Sequence, residues 1–122
     1  MCGISGYIGP SAEASTLKRM SAAIAHRGPD ESGLLVGEGF ALAHRRLSII
    51  DIATGQQPMQ STRGFVLTYN GEIYNFMEIR RDLEGRGYTF QTNSDTEVLL
   101  FAYQERGQEC LQKLRGMYAF AI

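Results

Sequence analysis

The chain has 122 residues, 43% of them apolar and 20% charged, a size and composition suited to one soluble domain or a large part of one. Twelve Lys+Arg against thirteen Asp+Glu leave a net charge of -1, so there is no basic footprint for nucleic acid or an anionic membrane surface. No apolar run approaches the roughly 20 residues that span a bilayer, no signal segment opens the chain, and Cys2 and Cys110 are too few for a disulfide scaffold. A cytoplasmic protein with reduced thiols is expected.

Residues 2–9 read CGISGYIG, with Ile4 and Ile8 on one parity and glycines between, and predict a short, closely packed strand. Leu17, Met20 and Ile24 then recur at helical spacing, and His26-Arg27-Gly28-Pro29-Asp30 ends that helix. Residues 34–36 and 40–43 flank Gly37-Glu38-Gly39 as a hairpin, and 47–50 continue its second strand or start a third. Residues 51–62 read as polar loop, and 65–69 as a strand that delivers the chain to Asn70-Gly71.

From Asn75 onward, Phe76, Ile79 and Leu83 predict a helix that stops at Gly85 and Gly87, followed by a short strand over 89–91. Ser94-Asp95-Thr96-Glu97 is a capping box ahead of an apolar run, with Gly107 as its stop. Residues 117–122 look strand-like and finish without turn residue, charge or cap, as though cut in mid-strand. Adjacent strand pairs without regular βαβ alternation argue for an α+β fold with largely antiparallel sheet.

Four positions carry chemistry. Were Met1 removed, Cys2 would hold a thiol and an α-amine on one residue, a nucleophile with its own base, since a free thiol ordinarily titrates at about 8.5 and a free α-amine at about 7.7–8.0. Asn-Gly between strands ordinarily means a type I′ turn, yet only Glu72-Ile73-Tyr74 separate Asn70-Gly71 from a helical pattern. An Asn amide beside a Gly N–H can instead aim two donors at one oxyanion. Arg46 after an apolar strand and Asp95 in a helix's first turn are each ordinary surface charges taken singly. Together they form a clamp for an amino-acid zwitterion, a guanidinium for the carboxylate and a carboxylate for the ammonium. His26 and His44 are too sparse to build a metal site with the two cysteines, although a Cys–His dyad stays open on spacing alone. Cys110, near Leu111 and Leu114, reads as a core thiol.

The order of motifs MCGISGYIG, HRGPDESG, LAHRRLSIID, GQQPM, YNGEIYN and SDTEV resembles the glutaminase domain of glutamine-hydrolysing asparagine synthetases, within the class II glutamine amidotransferases. HRGPD together with RRLSIID is similar to that branch more than to the sugar-phosphate or purine-pathway branches. The resemblance implies a four-layer αββα N-terminal nucleophile sandwich, here truncated at its C-terminal end. It implies that Cys2 attacks the glutamine side-chain amide, with Asn70 and Gly71 as oxyanion hole. Arg46 would hold the substrate carboxylate, Asp95 and Glu72 its ammonium, and Leu47 and Ile49 would offer backbone contacts. No metal and no cofactor are implied on this chain. ATP and Mg belong to an absent C-terminal synthetase domain, the expected partner that uses the ammonia to make asparagine from aspartate; a homodimer is compatible. The alternatives are an amidotransferase for another carboxylate acceptor, a catalytically silent amidotransferase-like binding module, or a Cys–His peptidase.

Overall fold

The computed structural model describes residues 2–10, 12–47 and 55–122. In chain order they form β1 (Gly3–Ile8), α1 (Ala14–Ala23), a 3₁₀ turn (Ala25–Arg27), β2 (Glu31–Gly37), β3 (Phe40–Arg46), β4 (Met59–Gln60) and β5 (Val66–Ile73). There follow α2 (Phe76–Gly85), α3 (Asp95–Arg106), a 3₁₀ segment (Gly107–Lys113) and β6 (Gly116–Ala121). The strands make two antiparallel sheets, ordered β1-β3-β2 and β4-β5-β6. α1 covers the first sheet, β5 faces β1 and β3, and α3 lies on the other side of β5 with α2 packed beside it. The result is the expected α+β stack of helix, sheet, sheet and helix.

Strand alternation makes this stack possible. On β3, Ala41 and Ala43 are wholly buried against Leu17 of α1, small side chains that let the helix approach the sheet. Arg45, of the same parity, donates from Nε to the Ser21 carbonyl at 3.1 Å and to its Oγ at 2.9 Å. Leu42, His44 and Arg46 take the opposite parity, towards the second sheet. On β5, Leu67, Tyr69 and Ile73 join Leu99 and Leu100 of α3 in one core cluster. Thr68 turns the other way and its Oγ1 donates to the Ala43 carbonyl at 3.2 Å, a hydrogen bond between the two sheets. A second cluster joins Leu83 of α2 to Val98, Ala102 and Cys110, so the Cys110 thiol is a core thiol.

The β2–β3 hairpin turns at Glu38-Gly39, where Gly39 has φ +77°, a left-handed conformation that favours glycine. Three elements differ from the sequence reading. β5 does not stop at Asn70-Gly71 but runs on to Ile73, because β6 pairs with it from Thr68 to Ile73. Within the expected 51–62 loop, Met59 and Gln60 pair with Leu67 and Val66 as β4. Residues 89–91 are not a strand: the Glu97 carboxylate, 5% exposed as a residue, accepts the N–H of Gln91 at 2.9 Å and of Thr92 at 2.7 Å, removing those donors from any ladder.

The same contacts show that half of the capping box forms. Ser94 Oγ accepts from the Glu97 N–H at 3.3 Å, whereas the Glu97 side chain binds the preceding loop and the Thr92 hydroxyl at 2.6 Å. Ser94 N–H is instead taken by Thr92 Oγ1 at 3.2 Å. Glu97→Ala is expected to destabilise the fold by roughly 2–4 kcal/mol, since three donors lose a charged acceptor in a buried site. Equilibrium denaturation with urea measures it.

Candidate active site

Cys2 lies one residue before β1, and the β1–β3 register, Gly3 opposite Arg45, sets Cys2 beside Arg46. Two further contacts brace this end of the sheet, one of them to the N-terminus. Arg27 Nε donates to the Cys2 carbonyl at 3.1 Å, and the Asp30 N–H bonds the Arg46 carbonyl at 3.1 Å. Cys2 is partly exposed. Arg46, 8% exposed, pairs through Nη1 with Glu31 Oε2 at 3.1 Å; Glu31 is its register partner on β2. One end of the first sheet therefore carries, side by side, the thiol, the guanidinium and a carboxylate.

β5 brings the next group. Asn70 shares the parity of Thr68, so its side chain is on the face turned to the first sheet, one step further along from the Thr68–Ala43 bond. Gly71 follows, opposite Tyr118 in the ladder. A Cβ at this position would collide with the Met117 carbonyl, so the close approach of β6 by itself demands glycine here. Glu72 is exposed, opposite Met117. Asp95, first residue of α3, is fixed to β5: its Oδ2 accepts from the Tyr69 hydroxyl at 2.6 Å and from the Ile73 N–H at 3.1 Å. Gln57 closes the arrangement, its Oε1 accepting the Tyr69 N–H at 2.6 Å and its Nε2 donating to Thr96 Oγ1 at 3.4 Å.

A cavity of about 380 Å³ opens between β2, β3 and the 56–57 segment, lined among others by Glu31, His44, Arg46 and Gln57. A larger recess of about 470 Å³, between α2, α3 and the 110–115 stretch, contains none of the candidate residues, and the chemistry assigns the smaller one to the site. Among the described residues no cluster of three His, Cys, Asp or Glu side chains is placed to hold a metal. No helix of the described residues is long and apolar enough to cross a membrane.

The sequence matches the glutamine amidotransferase domain family over residues 1–122. The chain belongs to that family. It is 45% identical to asparagine synthetase [glutamine-hydrolyzing] 1 of Bacillus subtilis and 44% identical to asparagine synthetase B [glutamine-hydrolyzing] of Escherichia coli. All of this chain aligns in both cases, against 20% and 23% of those proteins, so the chain spans about a fifth of the length of these relatives. Among solved structures it is similar to glutamine phosphoribosylpyrophosphate amidotransferase of B. subtilis, determined with ADP and GMP, at 32% identity and a TM-score of 0.53, covering 70% of this chain and 21% of that one.

Within this amidotransferase domain Cys2 precedes β1, Arg46 ends β3 with Leu47 after it, Asn70, Gly71 and Glu72 lie on β5, and Asp95 opens α3. Of these residues Arg46 lines the smaller cavity. Ile49 lies outside the described residues. Sequence reasoning missed Glu31 and Tyr69, which bond Arg46 and Asp95, and Gln57, which bonds Tyr69 and Thr96. The repeated Gln of GQQPM and the Tyr preceding Asn70 were visible, but nothing in their spacing indicated what they bond.

His44 stands beside the site without facing solvent: it is 2% exposed and its Nε2 has no hydrogen-bond partner among the described residues. Burial lowers its pKa to about 4, with the Arg46 charge adding to the effect and the Tyr69 backbone and Glu31 opposing it. The imidazole is thus neutral in the fold, while the unfolded chain binds a proton below the ordinary value of 6.5. This contribution is fully present above pH 6.5 and is lost as pH falls towards 4, because the unfolded state takes up the extra proton. Over that window His44→Asn should remove roughly 2–3 kcal/mol of the pH dependence of unfolding, checked by denaturation of both proteins across the pH range.

Proposed function

We propose that this chain is a glutaminase domain that hydrolyses glutamine to glutamate and ammonia and supplies the ammonia to an ATP-dependent asparagine synthetase. The observation that carries the reading is the register that sets Cys2 beside Arg46, at the end of the sandwich to which β5 brings Asn70, in a chain of the glutamine amidotransferase family. The names of the two relatives, both glutamine-hydrolysing asparagine synthetases, support the choice of aspartate as acceptor.

In this reading Met1 is removed and the α-amine of Cys2 takes the thiol proton. The thiolate attacks the side-chain amide carbon of glutamine, and the oxyanion receives the Asn70 amide and the Gly71 N–H. The amine returns the proton to the leaving nitrogen, ammonia departs, and water releases glutamate from the thioester. Arg46, braced by Glu31, takes the α-carboxylate, and Asp95 with Glu72 takes the α-ammonium. Leu47 and Ile49 contribute backbone contacts. The acceptor chemistry, with its ATP and Mg, belongs to the synthetase partner, and the setting is the cytoplasm. The Cys–His alternative is less well supported, because His44 lines the cavity as a buried side chain, with its backbone opposite Ile4 in the ladder and not Cys2, and His26 is exposed in a 3₁₀ turn.

The decisive experiment is an intact mass after incubation with a glutamine-shaped electrophile. Loss of Met1 with a single adduct on Cys2 is expected; retention of Met1 with no adduct would instead favour a silent binding module. Cys2→Ala should abolish hydrolysis and keep glutamine binding, read by calorimetry. Asn70→Ala should lower kcat by roughly two to three orders of magnitude with a smaller change in KM. A change confined to KM would make Asn70 a substrate contact.

A further inference from the structure

A carboxylate that recognises an ammonium must present one oxygen in a fixed direction, and an aspartate at the start of a helix has rotamer freedom that works against this. Asp95 has lost that freedom in a particular way. Both donors that reach it, the Tyr69 hydroxyl and the Ile73 N–H, bind Oδ2, and among the described residues none binds Oδ1. Asp95 remains only partly buried. Tyr69 is itself immobile: it is 3% exposed in the Leu67–Leu99 core cluster, and its N–H is held by Gln57, whose amide also reaches Thr96 next to Asp95.

We propose that Tyr69 is a positioning residue for glutamine recognition, its phenol clamping Asp95 Oδ2 so that Oδ1 is turned to the substrate α-ammonium. The inference rests on the reading of Asp95 as the ammonium partner. Burial and the Asp95 contact both push the Tyr69 hydroxyl above its ordinary pKa, so it stays protonated and donating throughout the neutral range. A bond to the Asp95 carboxylate is worth more than a neutral pair, and Tyr69 is the only side chain among the described residues that supplies one.

The test is made in a Cys2→Ala background, where glutamine is bound and not consumed. Calorimetry compares L-glutamine with glutaramate, its analogue lacking the α-amino group, for the parent, Tyr69→Phe and Asp95→Asn. Tyr69→Phe should weaken glutamine by about tenfold and leave glutaramate within about twofold, erasing most of the parent's preference. Asp95→Asn should erase that preference altogether. Equal weakening of both ligands by Tyr69→Phe, or of neither, would overturn the positioning role while leaving Asp95 in place. A preference that survives Asp95→Asn, or a parent that binds neither ligand, would overturn the reading of Asp95 itself. Tyr69→Leu, which also lacks the donor, repeats the measurement should Phe disturb the packing. Failure of both variants to fold, judged by circular dichroism, would make the phenol a structural staple and overturn the proposal.

Discussion

β5 has covered faces on both sides, and the period of two along it distributes everything else. Even positions look to the first sheet, where Thr68 bonds the Ala43 carbonyl, and Asn70 follows on that face towards Cys2 and Arg46. Odd positions look to α3, where Leu67 and Ile73 are core and Tyr69 meets Asp95. A slip of one residue against β6 would exchange the two faces, burying the amide of Asn70 among leucines and turning a phenol into the cleft. The pairing from Thr68–Ala121 to Ile73–Gly116 therefore fixes which side chains of β5 meet the first sheet and which meet α3.

The elements legible in the sequence were those whose determinants are local. The β2–β3 hairpin has its glycine at the turn, α2 its Phe76/Ile79/Leu83 stripe, and α3 its Ser94 cap. Where the reading failed, a contact that periodicity does not reveal decided the outcome. Asn70-Gly71 has turn chemistry, but β6 arrives from the far end of the chain to hold it extended, and needs the missing Cβ to come close. At residues 89–91, of strand-like composition, the deciding contact is local: Glu97 takes the Gln91 N–H and that of the adjoining Thr92. The candidate site divides in the same way. Side chains that would touch a substrate were nameable from residue type and order, whereas Glu31, Gln57 and Tyr69, which act on other side chains, depend on a fold that no spacing encodes.

The first turn of α3 carries two acids with separate work. Glu97 faces inward and is consumed by the loop before it, binding two backbone N–H groups and a hydroxyl. Asp95 faces β5 and keeps one oxygen outside its bonds to Tyr69 and Ile73. Both lie in the first turn of the helix, where its dipole favours negative charge. Asp95 thus sits on a helix whose N-terminus is independently pinned by the Glu97 bonds.

The two thiols differ in accessibility. Cys2 is partly exposed, while Cys110 is 1% exposed against Leu83, Val98 and Ala102, and burial raises its pKa. Thiolates are the reactive form, so the native protein offers reagents one sulfur and the unfolded chain offers two. Cys110 lies at the recess between α2, α3 and the 110–115 stretch, so the rate of its modification reports on opening at that corner. The molecule thus carries a built-in probe of local breathing on the face remote from catalysis, readable while the Cys2 end is occupied.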